Sequence, residues 1–335
     1  MFLLKKLLCT AILALGVIML MTVGAYAQMP KDKIALQGED SFKAEMFNEF
    51  SDTIEDNALY VATTGSDSNT GTIDKPFATV QKALDTVKAG QTIYVRGGTY
   101  NALNTFKTSG SEGKYITLRN YPNETPFLTC TTGTDGAILH LNGCNYIKIY
   151  GLEIGGHSAG KAYGILLDDC ENHIVISNNH IHNLLTTKPG EHENGEANGI
   201  LLFGEGKTDE TSINNICIEN NNIHNNTTGW SETLSTSGNC KYVNVINNTV
   251  HDNTNIGIDF YGNAKYCTVP AYDQPRYCVA AGNTVYNSIC SYAECAGLYL
   301  DGARDTIFEN NIIYGSMYGL SLIHISEPTR HAQIS

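Results

Sequence analysis

No pair of the Cys-x-x-Cys type occurs in this 335-residue chain, although it holds ten cysteines. That excludes the usual thiolate zinc modules, and no zinc site is expected. Basic residues are also scarce: 21 Lys and Arg stand against 34 Asp and Glu, a formal net charge of −13. Such a balance argues against nucleic acid or an anionic membrane as partner, because both are bound through positive surface. It is compatible with Ca²⁺ and with neutral or calcium-bridged sugars. Long apolar runs are missing except at the start. There Lys5 and Lys6 precede an apolar stretch that ends in "AYA" before Gln28, the pattern of a secretory signal over residues 1–27. Without the two signal lysines the exported chain carries −15. It should then act outside the cytoplasm, unattached to membrane, as a monomer.

Nine cysteines follow the signal, an odd number, and export makes disulfides permissible. Cys267 with Cys278, and Cys290 with Cys295, bracket local insertions and are candidate staples. Cys144, Cys170 and Cys240 each precede an alternating strand and read as buried stacked thiols.

What the chain has in abundance is a repeat. "ISNNHIHNL", "IENNNIHNN", "VINNTVHDN", "AAGNTVYNS" and "FENNIIYGS" align on Asn179, Asn221, Asn248, Asn283 and Asn311, spaced 42, 27, 35 and 28 residues apart. The short spacings suit a stacked unit, and the long ones suit the same unit with a loop inserted. Alternating runs such as "HIVISNN" and "NICIENN" precede the asparagines, the signature of half-buried strands. A second, glycine-led strand recurs as "GILLD", "GILLF", "GIDFY" and "GLYLD". Each unit therefore reads as one coil of a right-handed parallel β-helix, an all-β solenoid. The asparagines form an internal ladder that satisfies buried backbone at the turn. His182, His224 and His251, continued by Tyr286 and Tyr314, fall in register as a surface stack. No other ligand type is expected beside them.

Residues 28–57 read as a polar linker, and the β-helix domain as 58–319. In "PFATVQKALDTVKAG", Pro76 opens a helix, Phe77, Val80, Ala83, Leu84 and Val87 form one face, and Gly90 closes it. Placed before the first coil, it would cap the solenoid's open end.

The stretch "ALYVATTGSDSNTGTIDKPFATVQKALDTVKAGQTIYVRGGTYN" (58–101) resembles the start of the pectate-lyase-like β-helix superfamily, above all family 9 polysaccharide lyases. The resemblance extends over about residues 58–319 and is strongest at the beginning. It implies a secreted protein acting on polysaccharide, with calcium-assisted β-elimination from a uronic acid polymer as the usual reaction. The family's catalytic pattern is only partly kept. Of an acidic "DDG-x-D" calcium run, "NIGID" (255–259) retains Asp259 alone. Where a "G-F-K-L" run would carry the base lysine, "GLYL" (297–300) places Tyr299.

The glycine-led strands also define a site by themselves. Residues one and three after each glycine should face inward: Ile165 and Leu167, Ile200 and Leu202, Ile258 and Phe260, Leu298 and Leu300. Residues two and four should face outward: Leu166 and Asp168, Leu201 and Phe203, Asp259 and Tyr261, Tyr299 and Asp301. "GWSET" (229–233) would point Glu232 inward, so a shifted register is expected there. Loops 185–198 and 288–296 before the strip, and 204–212 and 262–277 after it, would frame a groove.

Asp259 and Asp301 are the candidate calcium ligands and acid–base groups, with Tyr299 as a candidate base if Arg304 or Ca²⁺ lowers its pKa. Tyr261 and Phe203 could stack on sugar rings, and Lys265, Arg276 and Arg304 could neutralise a uronate. Asp168, beside Asp169 and Glu171, reads as solvated surface. Three functions stay open: a lyase of acidic polysaccharide, which leads; a two-carboxylate glycoside hydrolase; and a non-catalytic glycan-binding or adhesin-like module. The run "LSLIHISEPTR" (320–330) breaks the repeat and resembles a translated sequencing adaptor. On that reading the natural chain continues beyond Gly319 with further coils and a cap, and 320–335 is foreign.

Overall fold

The computed structural model describes residues 54–169, 171–191 and 195–323. The expected signal, most of the expected linker, Cys170 and residues 324–335 lie outside these. Among the described residues no helix is long and apolar enough to cross a membrane.

The chain winds into a right-handed β-helix with three parallel sheets. One has nine strands, from Leu59–Val61 to Ile307–Glu309, and two have eight. In every sheet, neighbouring strands come from successive coils. The glycine-led strands build the second sheet, which includes Lys161–Leu167, Glu196–Gly204, Glu232–Gly238, Ile256–Tyr261 and Ala296–Asp301. The third sheet carries Glu153–Ala159, His180–Thr186, Asn222–His224 and Thr249–Asn253.

The inward residues fall where the alternation placed them. Ile165, Leu167, Ile200, Leu202, Ile258 and Phe260 are fully buried, and Leu298 and Leu300 nearly so. The coil at "GWSET" does run in a shifted register. Leu234, not Trp230, pairs with Ile200 and Ile258, so Thr233 takes the place of the glycine.

The asparagine ladder is continuous. Each Nδ2 donates to the next coil's Oδ1, from Asn179 to Asn221 (3.0 Å), Asn248 (3.0 Å), Asn283 (3.1 Å) and Asn311 (2.9 Å). Each of the first four backbone N–H groups also donates to the next Oδ1, at 2.9 to 3.0 Å. The residue before each ladder member has left-handed backbone: Asn178, Asn220, Asn247 and Asn310 at φ 54° to 56°, and Gly282 at 66°. Asparagine tolerates that region better than other side chains with a Cβ, so the doubled asparagine has two jobs: the first bends the chain and the second bonds it. A shorter ladder, from Asn226 to Asn253 (2.9 Å), lies one turn on and was not anticipated.

The cap is a smaller helix than the sequence suggested, five residues from Val80 to Leu84. Thr79 caps it by accepting the Lys82 N–H, and Asp67 accepts from the N–H groups of Ala78 and Thr79. Phe77 is instead bridged to the first strand at Val61, which takes it out of the helix. All five residues of the expected face are buried, and Gln81 ties the helix to Thr105 in both directions.

The expected cysteine staples are not formed. Cys267, Cys278, Cys290 and Cys295 are all free thiols. The Cys267 thiol donates to Gly206 O and the Cys278 thiol to Arg276 O, whereas Cys290 and Cys295 sulfurs lie 3.0 Å apart as a hydrogen-bonded pair. Cys144 and Cys240 are buried as expected. At the other end, Tyr318–Ile323 continues the second sheet, with Leu320 opposite Leu298 and Leu322 opposite Leu300. "LSLI" alternates, and so its first residues take the coil register although the run breaks the asparagine repeat.

Removing one central rung should be costly. Asn248→Ala strips partners from the Asn221 amide, the Asn221 N–H and the Ile218 carbonyl. At about 1–3 kcal/mol per buried group left unsatisfied, urea unfolding should show a loss of roughly 3 kcal/mol or more. Asn311→Ala, at the ladder's end, should cost markedly less. Equal losses would contradict a cooperative ladder.

Candidate active site

The outward face of the second sheet is floored and roofed as a groove. Register places Ser235, Asp259 and Tyr299 opposite one another on successive coils. Asp301 stands two residues beyond Tyr299 on the same strand. A cavity of about 390 Å³ includes Asp259, Tyr299, Asp301, Tyr261, Glu232 and Trp230 in its lining. A second, of about 430 Å³, shares Glu196, Glu232 and Tyr266 with it and adds Phe203, Leu201 and Lys161. Both volumes are in the range of small-ligand sites.

The strip faces outward as expected, but the loops cover it. Asp259 is 1% exposed and Asp301 8%. Asp259 Oδ1 is buried with no hydrogen-bond partner. Burial, then the charges of Glu232 and Asp301, pushes the Asp259 carboxyl well above its ordinary range. Burial likewise brings Glu232 up to about 7. Two buried asparagines fix the segment that carries Glu232. Asn198 Nδ2 donates to the Glu232 carbonyl (2.5 Å) and Asn255 Nδ2 to the Ser231 carbonyl (2.9 Å).

Tyr299 does not behave as a phenol awaiting an arginine. Burial and the carboxylates of Asp301 and Asp259 push it up to about 12, the reverse of the expected lowering. The expected cations are elsewhere. Arg276 is 1% exposed and committed to structure, donating to Asp209 Oδ1 (2.7 Å) and Asn239 Oδ1 (2.9 Å). With Lys241, which also pairs with Asp209, it ties the 204–212 loop to the 262–277 loop. Arg304 bridges Arg276 through backbone. Lys265 bends the loop at φ 66°, its N–H bonded to Asp273 (2.6 Å). Neither Lys265 nor Arg304 lines the cavities. The cation that does is Lys161, already paired with Glu196 (2.6 Å), which also accepts from the Tyr163 hydroxyl (2.8 Å).

Both expected aromatics line a cavity. Tyr261 lines the first cavity edge-on to Tyr266 (5.8 Å between centroids), and Phe203 lines the second against the same ring (4.5 Å). Trp230, from the loop before Glu232, is 36% exposed and leans on Tyr292. Asp168, read as solvated, bonds His140 Nε2 at 2.8 Å. Glu196, Glu232, Glu294, Trp230 and Tyr266 escaped the sequence reading. Only Glu232 had left a signal, in its misfit register.

The donors present suit a hard cation. Asp259, Asp301, Glu232 and Glu294 give the first cavity carboxylate oxygen, no lysine or arginine lines it, and one oxygen is buried without a partner. Ca²⁺ takes such ligands.

This is a β-helix with a carboxylate-rich groove on one sheet, the general plan of the pectate-lyase-like solenoids. The chain belongs to the Pel9A-like, right-handed beta helix family, whose model matches residues 59–313. It is 34% identical over 277 residues to the uncharacterised protein YwoF of Bacillus subtilis (strain 168), covering 78% of this chain and 57% of YwoF. It is 30% identical over 175 residues to pectate lyase PEL9 of Emericella nidulans, covering 48% of this chain and 37% of that protein. The chain thus spans little more than half of YwoF and less of PEL9. The crystal structure of pectate lyase Pel9A aligns with TM-score 0.52 at 13% identity, over 82% of this chain and 81% of that one. XylC with xylose aligns at 0.53 and 14%, over 79% and 66%. At these identities the likeness is one of fold.

The buried carboxyls set a pH signature. Between pH 4.5 and about 7 the folded chain keeps a proton on Glu232 that the unfolded chain has released, and Asp259 acts in the same direction. Stability should therefore fall as pH rises through that window. Buried Glu171, also raised to about 7, adds to the fall. Melting curves from about pH 5 to about pH 8 should show Tm decreasing, and Glu232→Gln with Asp259→Asn should remove their part of the fall, leaving Glu171 and His140, which act in the same direction, against His180 and His224, which act in the opposite one. Added Ca²⁺ should restore Tm at the alkaline end and do little at the acid end. A profile unmoved by both substitutions would contradict the raised carboxyls.

Proposed function

We propose that this chain is a secreted lyase of acidic, uronate-containing polysaccharide, working in the groove of the second sheet with Ca²⁺. The observation that carries the reading is the buried Asp259 carboxyl, one of its oxygens without a partner, set among Asp301, Glu232 and Tyr299 in a member of a lyase-like family. Export rests on the pattern of residues 1–27. Asp259 and Asp301, with Glu232, would hold the cation, which supplies positive charge to the substrate uronate and to the carboxylates themselves.

The chain's own residues then divide the work. Tyr261 and Tyr266 offer ring faces to the sugar. Tyr299, next to Asp259 in the adjoining coil, is the group placed to take the C5 proton of the uronate. Its phenol is held up in part by the negative charge of Asp301, Asp259, Glu294 and Glu232. Neutralising that charge lowers the phenol towards the working range. As the C5–H bond breaks, its electron pair forms the C4–C5 double bond and the C4–O bond to the leaving sugar breaks. The products are a new non-reducing end bearing an unsaturated uronate and a leaving sugar whose oxygen takes a proton from solvent, while Tyr299 returns the C5 proton to solvent. Lys161, in the adjoining cavity, is the nearest lining cation for a neighbouring uronate.

One observation favours a second reading. Two neighbouring carboxyls with raised pKa values, Glu232 and Asp259, are also what a glycoside hydrolase needs in its general acid.

The test is the exported chain incubated with polygalacturonate, rhamnogalacturonan and alginate, with Ca²⁺ and with chelator, while unsaturated uronate absorbance and reducing ends are both followed. The expected result is calcium-dependent absorbance, lowered roughly 100-fold or more in Tyr299→Phe and abolished in Asp259→Ala. Reducing ends without absorbance would replace the lyase by the hydrolase. Glycan binding with neither signal would leave a binding module.

A further inference from the structure

The aromatic stack on the third sheet is longer and chemically richer than the repeat suggested. His182, His224, His251, Tyr286 and Tyr314 stack at 4.7 to 5.4 Å between centroids, with ring planes within 13°. Phe127 extends the row beyond His182 at 5.9 Å. Contrary to the expectation of no further ligand type, a carboxylate and a fourth imidazole stand beside it. Strand register sets His180 opposite Glu153 and His182 opposite Gly155. Glu153 Oε1 lies 3.0 Å from His182 Nε2, and the His180 and His182 rings are 4.5 Å apart. One ligand atom from each of Glu153, His180 and His182 falls within 4.8 Å of the others, the one such cluster among the described residues.

The nitrogens are short of protons. His180 Nε2 and His224 Nε2 face each other at 2.6 Å, and His224 Nδ1 is buried without a partner. Two imidazole nitrogens this close share either one proton or one metal ion. A tetrahedral ion with bonds of about 2.0–2.1 Å would set them roughly 3.3 Å apart, a small opening for side chains at a half-buried surface.

We propose that Glu153, His180 and His182 form a binding site for a divalent transition ion of the zinc class, with His224 or solvent as fourth ligand. Two imidazoles and one carboxylate are the donor set such ions take, and one that Ca²⁺, which prefers oxygen, does not. Asn183 Nδ2 lies 3.0 Å from His182 Nδ1. With its amide turned over, Asn183 Oδ1 would accept from Nδ1–H and hold Nε2 towards the ion. The site uses the third sheet, whereas the groove belongs to the second. It therefore stands whether or not the lyase reading does.

The test is titration of Zn²⁺ into the metal-free full chain by calorimetry, with Co²⁺ as a spectroscopic probe and circular dichroism as a check on folding. One ion should bind per chain, with affinity weakened at least tenfold in His182→Gln and in Glu153→Gln, and unchanged in the groove variant Asp259→Asn. Bound Co²⁺ should show the visible bands of a nitrogen–oxygen site. If His182→Gln does not fold, the half-exposed Glu153→Gln carries the comparison. No saturable binding, affinity indifferent to both substitutions, or a thiolate-to-cobalt charge-transfer band would each overturn the site.

Discussion

The ladder of asparagines that joins the turns of the later coils, from Asn179 to Asn311, is the constraint on which the rest of this molecule depends. A coil must reverse direction there with its backbone buried, and buried N–H and C=O groups cannot be left unpaired. Asn248 shows the pattern: its Oδ1 accepts from the backbone N–H and the side-chain amide of Asn221 one coil earlier, and its Nδ2 donates to the Ile218 carbonyl of that coil and to Asn283 Oδ1 of the next. Because the rungs also bond to one another, they lock successive coils in register. That register fixes which residues of the glycine-led strands turn outward. Asp259 faces the groove because Ile258 and Phe260 are committed to the core.

The groove is the part of the fold that works against stability. A carboxylate without a cation is poorly tolerated away from water, yet Asp259 is buried with one oxygen unpartnered and with the charges of Glu232 and Asp301 acting on it. The cations that could have balanced them are engaged elsewhere, Arg276 and Lys241 with Asp209 and Lys161 with Glu196. A cluster of this kind holds protons or holds a cation. The crowding of such carboxyls into one cavity with no lysine or arginine in its lining is the reason to assign it a function. The row of rings on the third sheet poses the same problem with the opposite chemistry, soft nitrogen in place of hard oxygen.

What repeats was legible in the sequence, and what folds over it was not. The inward Ile and Leu pairs, the ladder and the His–Tyr stack all follow from period and alternation, and all stand where expected. The faces of Asp259, Tyr261, Tyr299 and Asp301 were legible for the same reason. The burial of Asp259 and Asp301 was not, because Tyr266, Ala293 and Glu294 reach the same cavity from the 262–277 and 288–296 loops, which have no period. The same gap explains Arg276: nothing local shows that Asp209, in another insertion, claims its guanidinium. Trp230 and Tyr266 reach the groove from loops and left no pattern. Glu153 was within reach, since it lies one coil before His180, but its strand lacks the asparagine that marks the later coils. The cap helix was read too long because Phe77 matched the apolar face while being bridged to a strand.

The most direct measurement is a long-wavelength anomalous difference map from a crystal of the exported chain grown with Ca²⁺ and soaked in a uronate oligomer. The expected map has an anomalous peak between Asp259 and Asp301, with sugar density over Tyr299 and Tyr261. Density for the oligomer elsewhere, or a groove in which Asp259 remains protonated and without a cation at neutral pH, would contradict it.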